Sequence, residues 1–112
     1  MASVDELWLV DFGDPFPDES AHHRPAVVLG PHSTFGPDFP FVIVCPVTTT
    51  HRGLSLHVEI EPSEINGLDE ISYVQCELVR SINARRLLHR LGTIDNTTSG
   101  EMHRVVRMLL GH

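Results

Sequence analysis

The chain has 112 residues, 41% of them hydrophobic and 21% charged, which is the size and make-up of one globular domain spanning 1–112. Disordered, collagen-like and disulfide-scaffold classes fall away. The formal charge of −7 excludes the broadly basic nucleic-acid binder, so a polyanion partner must meet a local patch.

The charge is unevenly spread. Residues 1–79 hold thirteen acids against Arg24 and Arg52, leaving −11, while residues 80–112 hold six arginines against Asp95 and Glu101, leaving +4. Such asymmetry points to a charged partner or a self-complementary surface. Lysine is absent. The arginine fork suits phosphate and carboxylate, although a GC-rich genome also converts lysine to arginine. Cys45 and Cys76 sit in apolar, strand-like runs and read as buried free thiols, as an intracellular location would keep them. The first ten residues lack a basic leader region, and no apolar run approaches the roughly 18 residues that cross a bilayer. The expectation is a cytoplasmic chain without a membrane partner.

In chain order, Glu6 to Phe12 is apolar at nearly every position and reads as the first strand, closed by Gly13-Asp14-Pro15. Residues 13–23 are polar and proline-rich and read as a long surface loop, a feature that in small domains is often functional. Arg24 to Leu29 is a second strand, with Pro25 at its start. After a second loop over 30–40, Phe41 to Thr48 is β-branched and continuous enough to be covered on both faces. Leu56 to Ile60 alternates as a half-exposed strand, and Ile71 to Ile82 is expected to form one long alternating strand. Asn83 is placed to cap a short helical turn through Arg86, ahead of a final strand near His89 to Ile94. Thr98 and Glu101 have capping-box spacing before an apolar stripe at Met102, Val105, Val106, Leu109 and Leu110, and Gly111 ends the helix. The pattern predicts a mainly β (α+β) domain, a small β-barrel with a C-terminal amphipathic helix.

Phosphate-loop, dinucleotide, zincin and CxxC motifs are missing, and the eight histidines are scattered, so neither a metal nor a cofactor is expected. What remains is two loop–strand junctions. Glu19, His22, His23 and Arg24 end the first loop, and Thr48, Thr49, Thr50, His51 and Arg52 follow the third strand. Brought together, they would join an arginine fork, hydroxyl donors and groups that move protons near neutral pH. That set suits metal-free phosphodiester cleavage. The alternative is that Arg24 pairs with an acid of the preceding loop and the threonines simply favour a strand.

The order WLVDF, HRPAVVL, VIVCPVTTTHRGLSLHVEIEP, SYVQCELVRSI and ARRLLHRLG, with the closing helix, resembles the MazF/PemK toxin family along nearly the whole chain. The resemblance implies an SH3-like barrel of the PemK/CcdB type that forms a homodimer. It implies a metal-independent endoribonuclease that cleaves single-stranded RNA and is restrained by a cognate antitoxin. By this resemblance Arg24 and Thr48 carry the chemistry, with Glu19 as the general base to be tested. His22, His23, Thr49, Thr50 and Arg52 are candidate RNA contacts, and Arg85, Arg86 and Arg90 are candidate antitoxin contacts. The family's loop before that arginine commonly reads Gly-Ser-Glu-Gln, whereas residues 17–20 here are Pro-Asp-Glu-Ser, keeping only the glutamate. A non-enzymatic, CcdB-like gyrase poison and an inactive antitoxin-binding remnant are the competing functions.

Overall fold

The structure is a computed structural model and describes residues 2–13, 23–32 and 38–111. Its elements are β1 (Glu6–Asp11), β2 (His23–Gly30), β3 (Phe41–Thr48), β4 (His57–Ile60), β5 (Ser72–Gln75), β6 (Arg80–Asn83), β7 (Leu87–Thr93) and α1 (Asn96–Leu109). All strand pairs are antiparallel, in the order β4-β5-β3-β2-β1-β7, with β6 also paired to β3. The curved sheet is barrel-like but not closed, since no pairing joins β4 to β7 among the described residues.

β3 organises the rest. One edge pairs with β2, Val27 opposite Cys45. The other edge is shared: Phe41 to Val44 pair with β6, and Val47 and Thr48 pair with β5. The single long strand expected over Ile71–Ile82 is therefore two strands. A short 3-10 turn at Cys76–Leu78 separates them, burying Cys76 and leaving Leu78 exposed. Alternation persists through the turn, so hydrophobic periodicity alone does not reveal the break.

Successive side chains of a strand point to opposite faces, and both faces of β2 and β3 are buried. On one face Leu7, Val27, Cys45, Val47, Val58, Ile60 and Val74 form a core with Met102, Val105 and Val106 of α1. On the other, Val10, Ala26, Val28, Val42, Val44 and Ile82 form a second core, flanked by Trp8, Phe12 and Leu87. Burying one such side chain fully is worth about 1.5–3 kcal/mol. Cys45 and Cys76 lie free within the first core.

The helix starts earlier than its capping-box spacing predicts. Asp95 is the cap, its carboxylate accepting from the Thr98 N–H at 2.7 Å, and these bonds hold its pKa low. Glu101 pairs instead with Arg104, 2.6 Å away. A carboxylate three residues before Thr98 accepts more strongly than a hydroxyl. The expected apolar stripe is buried only through Val106, and Leu109 and Leu110 emerge into solvent. Asn83 does cap the turn through Arg86, accepting from the Arg85 N–H at 2.9 Å.

Between β4 and β5 the chain folds back on β7. Buried Asn66 accepts from the backbone N–H groups of Ser63 and Leu68, both at 2.9 Å, and the Ile65 carbonyl accepts from Thr93 at 3.0 Å. The approach leaves no room for a side chain at Gly92: a Cβ there would strike the Ile65 carbonyl and lie 2.7 Å from the Asn66 carbonyl carbon. Gly92→Ala is expected to destabilise the protein by about 2–3 kcal/mol, read as a lower urea midpoint; an unchanged midpoint would contradict the close approach.

Candidate functional site

The two junctions singled out in the sequence do meet. β2 brings Arg24 and β3 brings Thr48 to one cleft of about 170 Å3, lined also by Pro25, Val47, Thr49 and Ser72. Arg24 is half-buried, and its Nη2 donates to the Gln75 side-chain oxygen and, at 3.4 Å, to the Val47 carbonyl. A guanidinium fixed on one edge is oriented in advance, so little rotamer freedom remains to be lost when an anion arrives. Thr48 ends β3, and its Oγ1 accepts from the Thr50 N–H at 3.2 Å. Having accepted there, the hydroxyl retains its own hydrogen for a ligand.

The other expected site residues are placed less uniformly. His23 begins β2 opposite Asp11 and is exposed. Thr49 lines the cleft, Thr50 is exposed beyond it, and Arg52 is exposed in the following segment. His51 lies against Tyr73, ring centroids 5.1 Å apart, and lines a different cleft. Glu19 and His22 lie outside the described residues, and so do residues 17–20. Among the described residues no group of three or more His, Cys, Asp or Glu is arranged to hold a metal.

Gln75 is the residue that sequence reasoning missed. It stands at the buried end of β5, in a segment read only as a strand, yet it anchors the arginine. The available signal is the alternation of Tyr73, Gln75 and Glu77 with apolar neighbours, which gives β5 a polar face.

The basic last third is largely occupied within the chain. Arg90 Nε pairs with Glu6 at 2.7 Å, Arg86 donates to the Asp11 carbonyl at 3.2 Å, Arg80 lies over the Phe12 ring at 5.4 Å, and Arg104 holds Glu101. Among the described residues no hydrogen bond or ion pair engages the guanidinium of Arg85.

An open barrel with one covering helix and an arginine–hydroxyl cleft at the end of its central strand defines a class of small β protein furnished to receive an anion. Residues 4–110 match the PemK-like, MazF-like toxin family of type II toxin–antitoxin systems, and the chain belongs to that family. The fold is similar to that of MazF from Deinococcus radiodurans (24% identity, 99% of this chain and 97% of that one, TM-score 0.81). It is similar also to an endoribonuclease crystallised with its cognate antitoxin from a mycobacterial species (17%, 99% and 96%, TM-score 0.79). A third likeness is to the Mycobacterium tuberculosis toxin MazF-mt6 (22%, 95% and 96%, TM-score 0.75). No helix of the described residues is long and apolar enough to cross a membrane.

Glu6 ties the N-terminal strand to the basic segment. Burial raises its pKa, but the Ser3 N–H, the Trp8 indole and Arg90 outweigh that and hold it below the ordinary glutamate value. A depressed folded pKa contributes stability that is complete above the unfolded value of about 4.3 and is lost as pH falls through the folded one. Glu6→Gln is therefore expected to lower stability at pH 7 by up to about 1 kcal/mol and to lose less than the wild type between pH 5 and 3. Denaturant titrations at the three pH values check this, and equal acid losses in the two proteins would contradict it.

Proposed function

We propose that the chain is a metal-independent endoribonuclease, the toxin of its pair, acting in the cytoplasm on single-stranded RNA. The observation that carries this reading is the anchored guanidinium of Arg24 beside the Thr48 hydroxyl in one cleft, in a chain of this family. The ribose 2′-OH attacks the adjacent phosphorus, the bond to the 5′-oxygen breaks, and a 2′,3′-cyclic phosphate and a 5′-OH result. Arg24 stabilises charge growing on the phosphoryl oxygens, the largest kind of contribution when the donor is held ready in advance. Thr48 donates to the same phosphate and orients it. Glu19 takes the 2′-OH proton, and His22 or His23 returns one to the leaving oxygen. Thr49, Thr50 and Arg52 follow the RNA backbone away from the cut.

A homodimer and a protein antitoxin complete the assembly. Exposed Phe39, Phe41 and Ile43 at the start of β3 support a partner on that face. The solved mycobacterial relative bound to its cognate antitoxin supports the second partner. Arg85, Arg86 and Arg90 are its proposed contacts, with Arg85 the most available because Arg86 and Arg90 already hold internal acceptors. Arg85→Glu should weaken antitoxin binding and flatten its salt dependence in calorimetry across a salt series; equal affinity at every salt concentration would remove Arg85 from the interface.

Catalysis is tested by incubating the protein with a long RNA in excess EDTA and mapping the new 5′ ends. Discrete cuts bearing 5′-OH are expected, reduced about 100- to 1000-fold in Arg24→Ala and substantially in Thr48→Ala. Gln75→Leu, which removes one of the bonds that orient Arg24, should lower kcat more than it raises KM. Intact RNA at high protein concentration would instead favour the gyrase-poison or remnant functions.

A further inference from the structure

A second cleft, of about 310 Å3, adjoins the first and is not used by the proposed chemistry. Directly paired strand residues share a face, as do residues two apart. The ladders pair Thr48 with Tyr73, Tyr73 with Glu59, and Gln75 with His57. These five residues therefore lie on one face of β3, β5 and β4, while Val47, Val58, Ile60 and Val74 occupy the other, in the core. The face runs without interruption from the anchored arginine to the second cleft.

His57 is the unusual residue there. Its side chain is 2% exposed, its Nε2 lies 2.8 Å from a Glu77 carboxylate oxygen, and its buried Nδ1 has no hydrogen-bond partner among the described residues. A carboxylate only accepts, so Glu77 keeps the hydrogen on Nε2 and leaves Nδ1 of the neutral ring with a lone pair. An unsatisfied buried acceptor is costly and calls for a ligand or another account. Exposed Glu59 lines the same cleft and is a second acceptor. The His51 and Tyr73 rings supply flat apolar surface at its edge, and Gly53, with φ +65°, also lines it.

An acceptor-lined cleft containing a carboxylate repels phosphate and suits donors. Single-stranded RNA presents donors on splayed bases, which stack on aromatic rings and are read at their Watson–Crick edges. Resting on the ribonuclease reading, we propose that this cleft holds one base of the RNA near the cut and selects it for hydrogen-bond donors, guanine foremost. Guanine places its N1–H and N2–H side by side, matching the two oxygens of Glu59, and a base seated against Gly53 and Tyr73 brings a donor to His57 Nδ1 once the atoms over that buried nitrogen shift aside. Uracil, with one ring N–H between two carbonyls, is disfavoured.

The test uses the full chain with 15N-labelled histidine, titrated with GMP, CMP, AMP and UMP while the imidazole nitrogens are followed by NMR. GMP should shift the His57 Nδ1 resonance most, and UMP should leave it unmoved. Glu59→Gln, at an exposed position that leaves the fold intact, should weaken GMP binding about tenfold. UMP acting as strongly as GMP, or His57 unmoved by all four nucleotides, overturns the proposal. In mapped cuts, the guanine preference at one fixed position should fall about tenfold in Glu59→Gln, and an unaltered cutting profile overturns the proposal as well. A GMP-dependent shift of His57 in a protein that cuts no RNA supports the cleft and removes the ribonuclease reading alone.

Discussion

Strand β3 is hydrogen-bonded along both edges and, past the exposed Phe41 and Ile43, buried on both faces, and the other elements take their positions from it. Its β2 edge sets where Arg24 lies, because the β2–β3 register leads back along β2 to its first residues. Its opposite edge is divided between β6 and β5, and the 3-10 turn at Cys76–Leu78 makes the transfer. That transfer brings Gln75 to the end of β3, where it meets Arg24. A one-residue slip in either ladder would turn the site residues into the core and the valines toward solvent, so the packing that stabilises the sheet also fixes the cleft.

The cleft gathers positive charge locally on an acidic protein. A net charge of −7 gives no general attraction for RNA. The Arg24 guanidinium donates to the Gln75 side-chain oxygen and to the Val47 carbonyl, and these bonds orient it. Of the arginines behind the +4 of the last third, Arg90 and Arg104 are paired with Glu6 and Glu101, while Arg80 and Arg86 contact a ring and a backbone carbonyl. The arginine-rich segment stays exposed at the surface, and three of its arginines, Arg80, Arg86 and Arg90, also reach residues 6–12.

The two faces of β4 and β5 divide the labour. One packs against α1 and supplies the core, and the other is a polar strip from Gln75 through Tyr73 and Glu59 to His57. Half-polar strands tolerate such a strip because the apolar face already provides the burial that holds them.

Much of the fold is legible from residue order alone. The limits of β3, the strand starts near Glu6 and Arg24, the Asn83 turn and the apolar core of α1 follow from local periodicity, turn chemistry and capping, which act over a few residues. Arg24 and Thr48 stand out as chemistry-bearing residues at strand ends, and the family is identifiable from motif order. The break in the long strand, the Gln75 anchor and the His57–Glu77 pair were decided by tertiary structure. Each is a choice among partners that local sequence leaves equivalent: which stretch of β3 an alternating strand pairs with, which carboxylate lies within reach of an imidazole, which amide lies within reach of a guanidinium. Residues 51 apart, like Arg24 and Gln75, meet only because two ladders share one central strand.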